Sequence, residues 1–387
     1  MPMSPRERVL TALNHEEPDR VPIVFGASNA TSMRLKPYQD LKSLLGLEDK
    51  VRYLYDWLEL GSVAPSEQVM RRLHSDVRGV LDRFPLATRT RNQLRPPHSP
   101  FIDDWGIGQV EWEPDVWFPS IHPLEDAQKL EELEAYPWPD MDDPYRVAHV
   151  RQQARQLADE NQYAIMATPW LLFPLERANA LQGMERFFPN LVANREFAEA
   201  LLAKIAALCK TLMGHFLAEL GEDVDIIKIG DDLGMQDGLL ISPRMYREII
   251  KPIHADYIAF IKERTKARVF FHTDGDVFDL VDDFVEIGVD ILNPIQTSAG
   301  RMSNLEELKK RYGKNLSFCG GVDTYRILPY GTPEQVRQEV RRVIDILGPG
   351  GGYLLAAVHT ILEEVPAENV LAMVDAALKY GRYPLKG

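Results

Sequence analysis

Asp225-Ile-Ile-Lys-Ile-Gly-Asp-Asp232, Arg268-Val-Phe-Phe-His-Thr-Asp274 and Asp290-Ile-Leu-Asn-Pro-Ile-Gln296 are three short apolar runs that each close on polar residues, with helical stretches at 243–265 and 277–288 between them. Apolar runs of this length suit strands buried on both faces, and their alternation with helices is the pattern of right-handed βα units on a parallel sheet. The same reading, carried outward, marks 21–26, 164–170, 316–322 and 352–359, making seven expected strands. An eighth would close a barrel. Its expected place is within 51–81, where Asp56, Trp57 and the run Ser75 to Leu81 are ambiguous. The expected fold class is therefore α/β, a TIM (β/α)8 barrel in one domain over 1–387. A doubly wound open sheet is the alternative, but no GxGxxG opens a helix after the first strand.

Two helix starts are written plainly. Ser4-Pro5-Arg6-Glu7 and Thr332-Pro333-Glu334-Gln335 each place a capping residue, a proline at the first helical position and an acid or amide three residues after the cap. The segment 83–143 differs in kind: Phe101 to Gly108 and Val110 to Pro114 read as a small hairpin, and prolines follow at 114, 119, 123, 137, 139 and 144. It is expected to be a hairpin and proline-rich excursion from the barrel, not a separate domain.

The chain has 387 residues, 45% apolar and 26% charged, with a formal net charge of −14. That acidity disfavours nucleic acid and anionic membrane as partners, because both need a basic face. No apolar stretch has the length of a signal or a membrane span, so a cytoplasmic location is expected. Two cysteines, Cys209 and Cys319, are too few for a disulfide framework or a thiolate zinc cluster. A bound metal would rest on nitrogen and oxygen.

In a parallel barrel the residues that close the strands share one end. Here they are Trp170, Asp231, Asp232, His272, Asp274, Asn293, Gln296, Asp323 and His359. Residues i and i+2 of a strand project the same way, so His272 and Asp274 can converge on one ion, with His359 at the end of another strand. Two imidazoles and a carboxylate match open catalytic metal sites. Zinc is the expected ion, with manganese, iron or no metal kept open; the competing view is a hydrogen-bonded histidine beside a turn aspartate. Asp231 and Asp232 read either as a strand-end turn cap or as a general acid at the pocket floor. Trp170, Asn293, Gln296 and Asp323 are expected to shape the substrate pocket. Cys319 and His15, His74, His98, His122, His215 and His254 are assigned packing or surface roles.

Several segments together resemble the uroporphyrinogen decarboxylase superfamily, which includes corrinoid-linked methyltransferases: Ser4 to Leu10, Glu17-Pro-Asp-Arg-Val-Pro22, Asp231-Asp-Leu-Gly234 with Ile241 to Tyr246, Gly320-Gly-Val-Asp323 with Gly331-Thr-Pro-Glu334, Gly350 to Tyr353, and Pro366-Ala-Glu-Asn-Val370. The resemblance implies a TIM barrel. It also separates two activities. The decarboxylase carries an arginine-rich RQAGRY segment after the first strand, whereas Phe25 to Arg34 here lacks it. The methyltransferases hold zinc through an HxC pair and a later cysteine; His272, Asp274 and His359 stand at those three positions. The implied function is a metal-dependent, methyltransferase-like enzyme that moves a methyl group from a small methoxy or N-methyl substrate to a corrinoid protein. The alternative is a uroporphyrinogen decarboxylase-like carboxy-lyase.

Overall fold

The computed structural model describes residues 3–54, 62–96, 99–113, 116–169 and 174–385. Strands in chain order are β1 (Val77–Leu81), β2 (Phe101–Ile102), β3 (Gly108–Glu113), β4 (Val116–Ile121), β5 (Ala164–Thr168), β6 (Ile226–Gly230), β7 (Gly234–Met235), β8 (Gly238–Leu239), β9 (Arg268–His272), β10 (Ile291–Ile295), β11 (Ser317–Val322) and β12 (Tyr353–Ala357). Among the described residues, seven of them form one sheet in the order β1-β5-β6-β9-β10-β11-β12, and each neighbouring pair is parallel.

The gap between β12 and β1 is bridged by the expected first strand. Ile23 pairs with Leu355 in parallel; Val24 N–H donates to the Leu355 carbonyl at 2.9 Å, and Leu355 N–H to the Pro22 carbonyl at 2.9 Å. On its other side Asp76 N–H donates to the Ile23 carbonyl, while the Ile23 and Phe25 amides go to side chains, Asp76 Oδ2 at 2.8 Å and Ser75 Oγ at 3.2 Å. Side-chain acceptors thus replace part of a regular ladder, and the segment curls the sheet toward closure as a TIM-barrel-like α/β fold. The eighth strand sought within 51–81 is β1; the Asp56 and Trp57 candidates lie outside the described residues.

Inside the sheet, Val24, Val77, Ala164, Met166, Ile226, Phe270, Ile291, Cys319, Leu354 and Ala356 pack together, with Val9, Ala12 and Leu13 of helix Pro5–Leu13 joining the cluster. This apolar plug fills the barrel, and two positions beyond it on β5, β6, β9 and β10 the polar residues Thr168, Lys228, His272 and Asn293 stand toward the carboxyl ends. Both predicted capping boxes form, at Ser4 with Glu7 and at Thr332 with Gln335. The 243–265 helix is interrupted: a wider turn over Tyr246–Ile250 precedes helix Lys251–Lys262. Pro252 offers no N–H to the preceding turn, which accounts for the break.

The segment between β1 and β5 carries the antiparallel sheet β2-β3-β4, one strand more than the expected hairpin. The expectation that no apolar stretch reaches the length of a membrane span fails at Arg195–Leu220, which has the length and apolar composition of a membrane-crossing helix, yet Leu201, Leu202, Ile205, Cys209, Met213 and Phe216 are buried in the protein core. Its apolarity is accounted for by packing around the barrel.

Candidate metal centre

His272 closes β9 and points inward two residues after the plug residue Phe270. Asp274 follows in the turn, and His359 follows β12 across the mouth. Nε2 of His272 lies 3.8 Å from Asp274 Oδ2, and Nε2 of His359 lies 3.7 Å from the same oxygen. The two rings are 5.4 Å apart between centroids. One potential ligand atom from each residue falls within 4.8 Å of the others, the sole such trio of His, Cys, Asp or Glu among the described residues. His272 is 8% exposed, while Asp274 and His359 keep about a third of their side chains open to the pocket.

Both imidazoles are held neutral. Burial, then the charge of Lys228, keeps His272 well below its usual range; the same causes in the same order push His359 down to about 4. Neutral rings retain the lone pair a metal needs. Asp274 is pushed up to about 8 by burial and by Asp232. A cation held between the three groups would offset that carboxylate cost. The donor set and its spacing therefore fit a divalent ion.

The turn is built to hold this geometry. Asp274 N–H donates to Asp232 Oδ1 at 2.9 Å, Gly275 N–H to Gln296 Oε1 at 2.7 Å, and Leu233 N–H to Thr273 Oγ1 at 3.1 Å. Gly275 has φ +90°, and a Cβ there would lie 2.3 Å from the Gly234 carbonyl carbon, so only glycine allows the two turns to touch.

The other expected site residues divide by what they touch. Asp231 is 1% exposed; its carboxylate accepts from the amides of Leu175 (2.8 Å) and Glu176 (2.7 Å) and contacts His254 Nε2 at 3.1 Å. It thereby caps helix Pro174–Gln182. Asp232 is half-buried, and burial followed by Asp231 raises its proton affinity. Asn293 is fully buried behind His272, its Oδ1 2.6 Å from Nδ1. Gln296 holds the Gly275 amide, and Asp323 accepts from the amides of Tyr325 and Arg326 at 2.6 and 3.0 Å. Trp170 lies outside the described residues.

Three groups that the sequence did not assign to the site belong to the same neighbourhood. Lys228, inward on β6 and 3% exposed, is pushed down to about 8 by burial against the opposing pull of Glu176, Asp232 and Asp274. Glu176 is pushed up to about 8 by burial, then by Asp232 and Asp231. His254, set aside as surface or structural, is 3% exposed and backs Asp231. A lysine within an apolar strand was the one available signal.

Residues 105–380 match the family model described as uroporphyrinogen decarboxylase (URO-D). Among curated relatives, the uroporphyrinogen decarboxylase of Neisseria meningitidis serogroup C is 26% identical over 149 residues, 38% of this chain and 40% of that protein. That of Pseudoalteromonas translucida is 24% identical over 267 residues, 67% of this chain and 70% of that protein. The solved structure of a methyltransferase from Methanosarcina mazei superposes with a TM-score of 0.65 at 16% identity, covering 98% of this chain and 99% of that one. At that identity the likeness concerns the fold.

Proposed function

Because this chain belongs to the uroporphyrinogen decarboxylase family, whose members are enzymes, we propose that its barrel mouth is a metal-dependent active site that transfers a methyl group from a small methoxy or N-methyl compound. The observation that carries this reading is the convergence of His272, Asp274 and His359 within 4.8 Å. These residues would hold the ion, and their nitrogen and oxygen donors suit zinc binding a substrate heteroatom. A bound divalent ion supplies Lewis-acid polarisation of that heteroatom.

The chain's own residues supply the rest. Asp232 accepts a backbone N–H on Oδ1, which leaves Oδ2 free of that bond to deliver a proton to the departing oxygen or nitrogen. Asp231, engaged by two amides and His254, positions the start of helix Pro174–Gln182 and with it Glu176. Lys228 beneath the pocket balances the carboxylates. A corrinoid protein is the proposed methyl acceptor.

The test is incubation of the zinc-loaded protein with cob(I)alamin and a panel of methoxy-aromatic and N-methyl donors, following the absorbance of methylcobalamin. Donor-dependent methylation supports the reading; none across the panel counts against it. A second reading, decarboxylation of a porphyrinogen, is favoured by two carboxyls, Asp232 and Glu176, whose proton affinity burial raises. A tetrapyrrole with many carboxylates would meet the acidic mouth at Asp232 and Asp274 without the arginine-rich segment after the first strand, and unpaired buried charges cost several kcal/mol each. Uroporphyrin binding below micromolar, read by fluorescence, would favour that second reading.

A further inference from the structure

We infer that Asn293 is a positioning residue that fixes the tautomer of His272, leaving Nε2 as the ligating atom; this rests on the metal reading of the site. Asn293 Nδ2 lies 3.3 Å from the Cys319 main-chain oxygen, and a carbonyl can only accept a hydrogen bond. The amide is therefore oriented with nitrogen toward β11, so the atom 2.6 Å from His272 Nδ1 is the acceptor Oδ1. His272 must then donate from Nδ1, and a neutral imidazole has one proton. Its lone pair stands on Nε2, which faces Asp274 Oδ2 and the His359 ring.

The sequence explains why that carbonyl is available. Asn293 pairs with His272 in the β9–β10 register. Between β10 and β11 the register slips after Leu292 and resumes at Ile295, across Pro294, which has no N–H to give. The Cys319 oxygen is met instead by the Asn293 side chain. Three adjacent strands thus form one directional chain, from the Cys319 carbonyl through the amide to the imidazole, with Asn293 fully buried. A buried amide held from both ends cannot flip without losing both bonds, so the ring orientation is set before any ion arrives. Outer partners of this kind are worth tenfold to a hundredfold in metal affinity.

Two variants and two readouts test the inference. Asn293→Leu keeps the branched shape and removes the acceptor; Asn293→Asp restores it. With histidine labelled in nitrogen-15, the metal-free wild-type protein should show His272 protonated at Nδ1, and Asn293→Leu should show a mixture or the Nε2–H form. Zinc affinity, measured by competition with a chromophoric chelator, should fall at least tenfold in Asn293→Leu and return to within about threefold of wild type in Asn293→Asp. A wild-type His272 protonated at Nε2, or an unchanged tautomer and affinity in Asn293→Leu, would overturn the inference. Failure of the wild-type protein to bind zinc would overturn the metal reading while the tautomer measurement still decided the role of Asn293.

Discussion

Asp274 sets the hardness of the candidate site. A carboxylate beside two imidazoles favours oxygen or nitrogen substrates, whereas a thiolate there would bind zinc more tightly and hand less positive character to the substrate atom. Asp274→Cys is therefore expected to raise zinc affinity about tenfold or more and to lower turnover; chelator competition and a methyl-transfer assay would check it, and an unchanged affinity and rate would place Asp274 off the ion. His272 and Asp274 were readable as neighbours because two-residue spacing at a strand end has a fixed geometric meaning, and His359 as the close of another strand. Lys228, Glu176 and His254 were not. Lys228 sits in the run Ile-Ile-Lys-Ile-Gly, where strand periodicity gives its face but not the carboxylates it meets, and Glu176 arrives only because Asp231 caps a helix remote in sequence. Asn293 was readable as a strand-end residue, while its bond to His272 depends on register between strands.

Between elements, Gly230 controls how closely β6 approaches β9. A Cβ at this position would lie 2.2 Å from the His272 carbonyl oxygen, and main chain cannot yield as a flexible side chain can. Gly230→Ala should cost about 1–3 kcal/mol through forced strand separation and weaken zinc binding by moving His272; a wild-type melting temperature together with wild-type zinc affinity would refute the close approach. A second contact joins the helices outside the barrel. Asp283, 4% exposed, takes Arg247 at 2.9 Å and Lys251 at 2.8 Å. Burial alone would raise its carboxyl, but those two cations hold it below the ordinary value. The stability it contributes is present above the unfolded carboxyl range near pH 4 and is lost as pH falls through the lower folded value. Asp283→Asn should accordingly cost about 1–2 kcal/mol at pH 7, and the gap to wild type should close as the pH drops below 4; thermal melts across that range would show it, and a gap independent of pH would contradict the pairing. The helix starts at Ser4 and Thr332 were readable because capping is local chemistry. β1 was ambiguous because Arg78 and Gly79 interrupt its apolar run. Arg78 is buried there by partners that include Glu67 at 2.8 Å and the Tyr163 ring at 3.5 Å, beside the Ser75 and Val77 carbonyls at 3.0 and 2.9 Å, and Gly79 is required because a Cβ would strike the Ala27 carbonyl oxygen at 2.3 Å.

Across the whole molecule, the apolar plug fills the barrel and the polar layer stands above it, so the site is built from strand ends while the core carries the stability. That separation lets the ligands be removed without unfolding the protein. The fold class was readable from the alternation of runs and helices; closure was not, because residues 21–26 join the sheet through side chains of Ser75 and Asp76 in place of a full ladder. The most direct test is metal analysis and zinc titration of wild type beside His272→Ala and His359→Ala, with circular dichroism as the control for folding. The account predicts one equivalent of divalent metal in the wild-type protein and at least a hundredfold weaker zinc binding in each variant, with unchanged helical signal. Full metal occupancy in either folded variant, or a wild-type protein that binds no divalent ion, would contradict it.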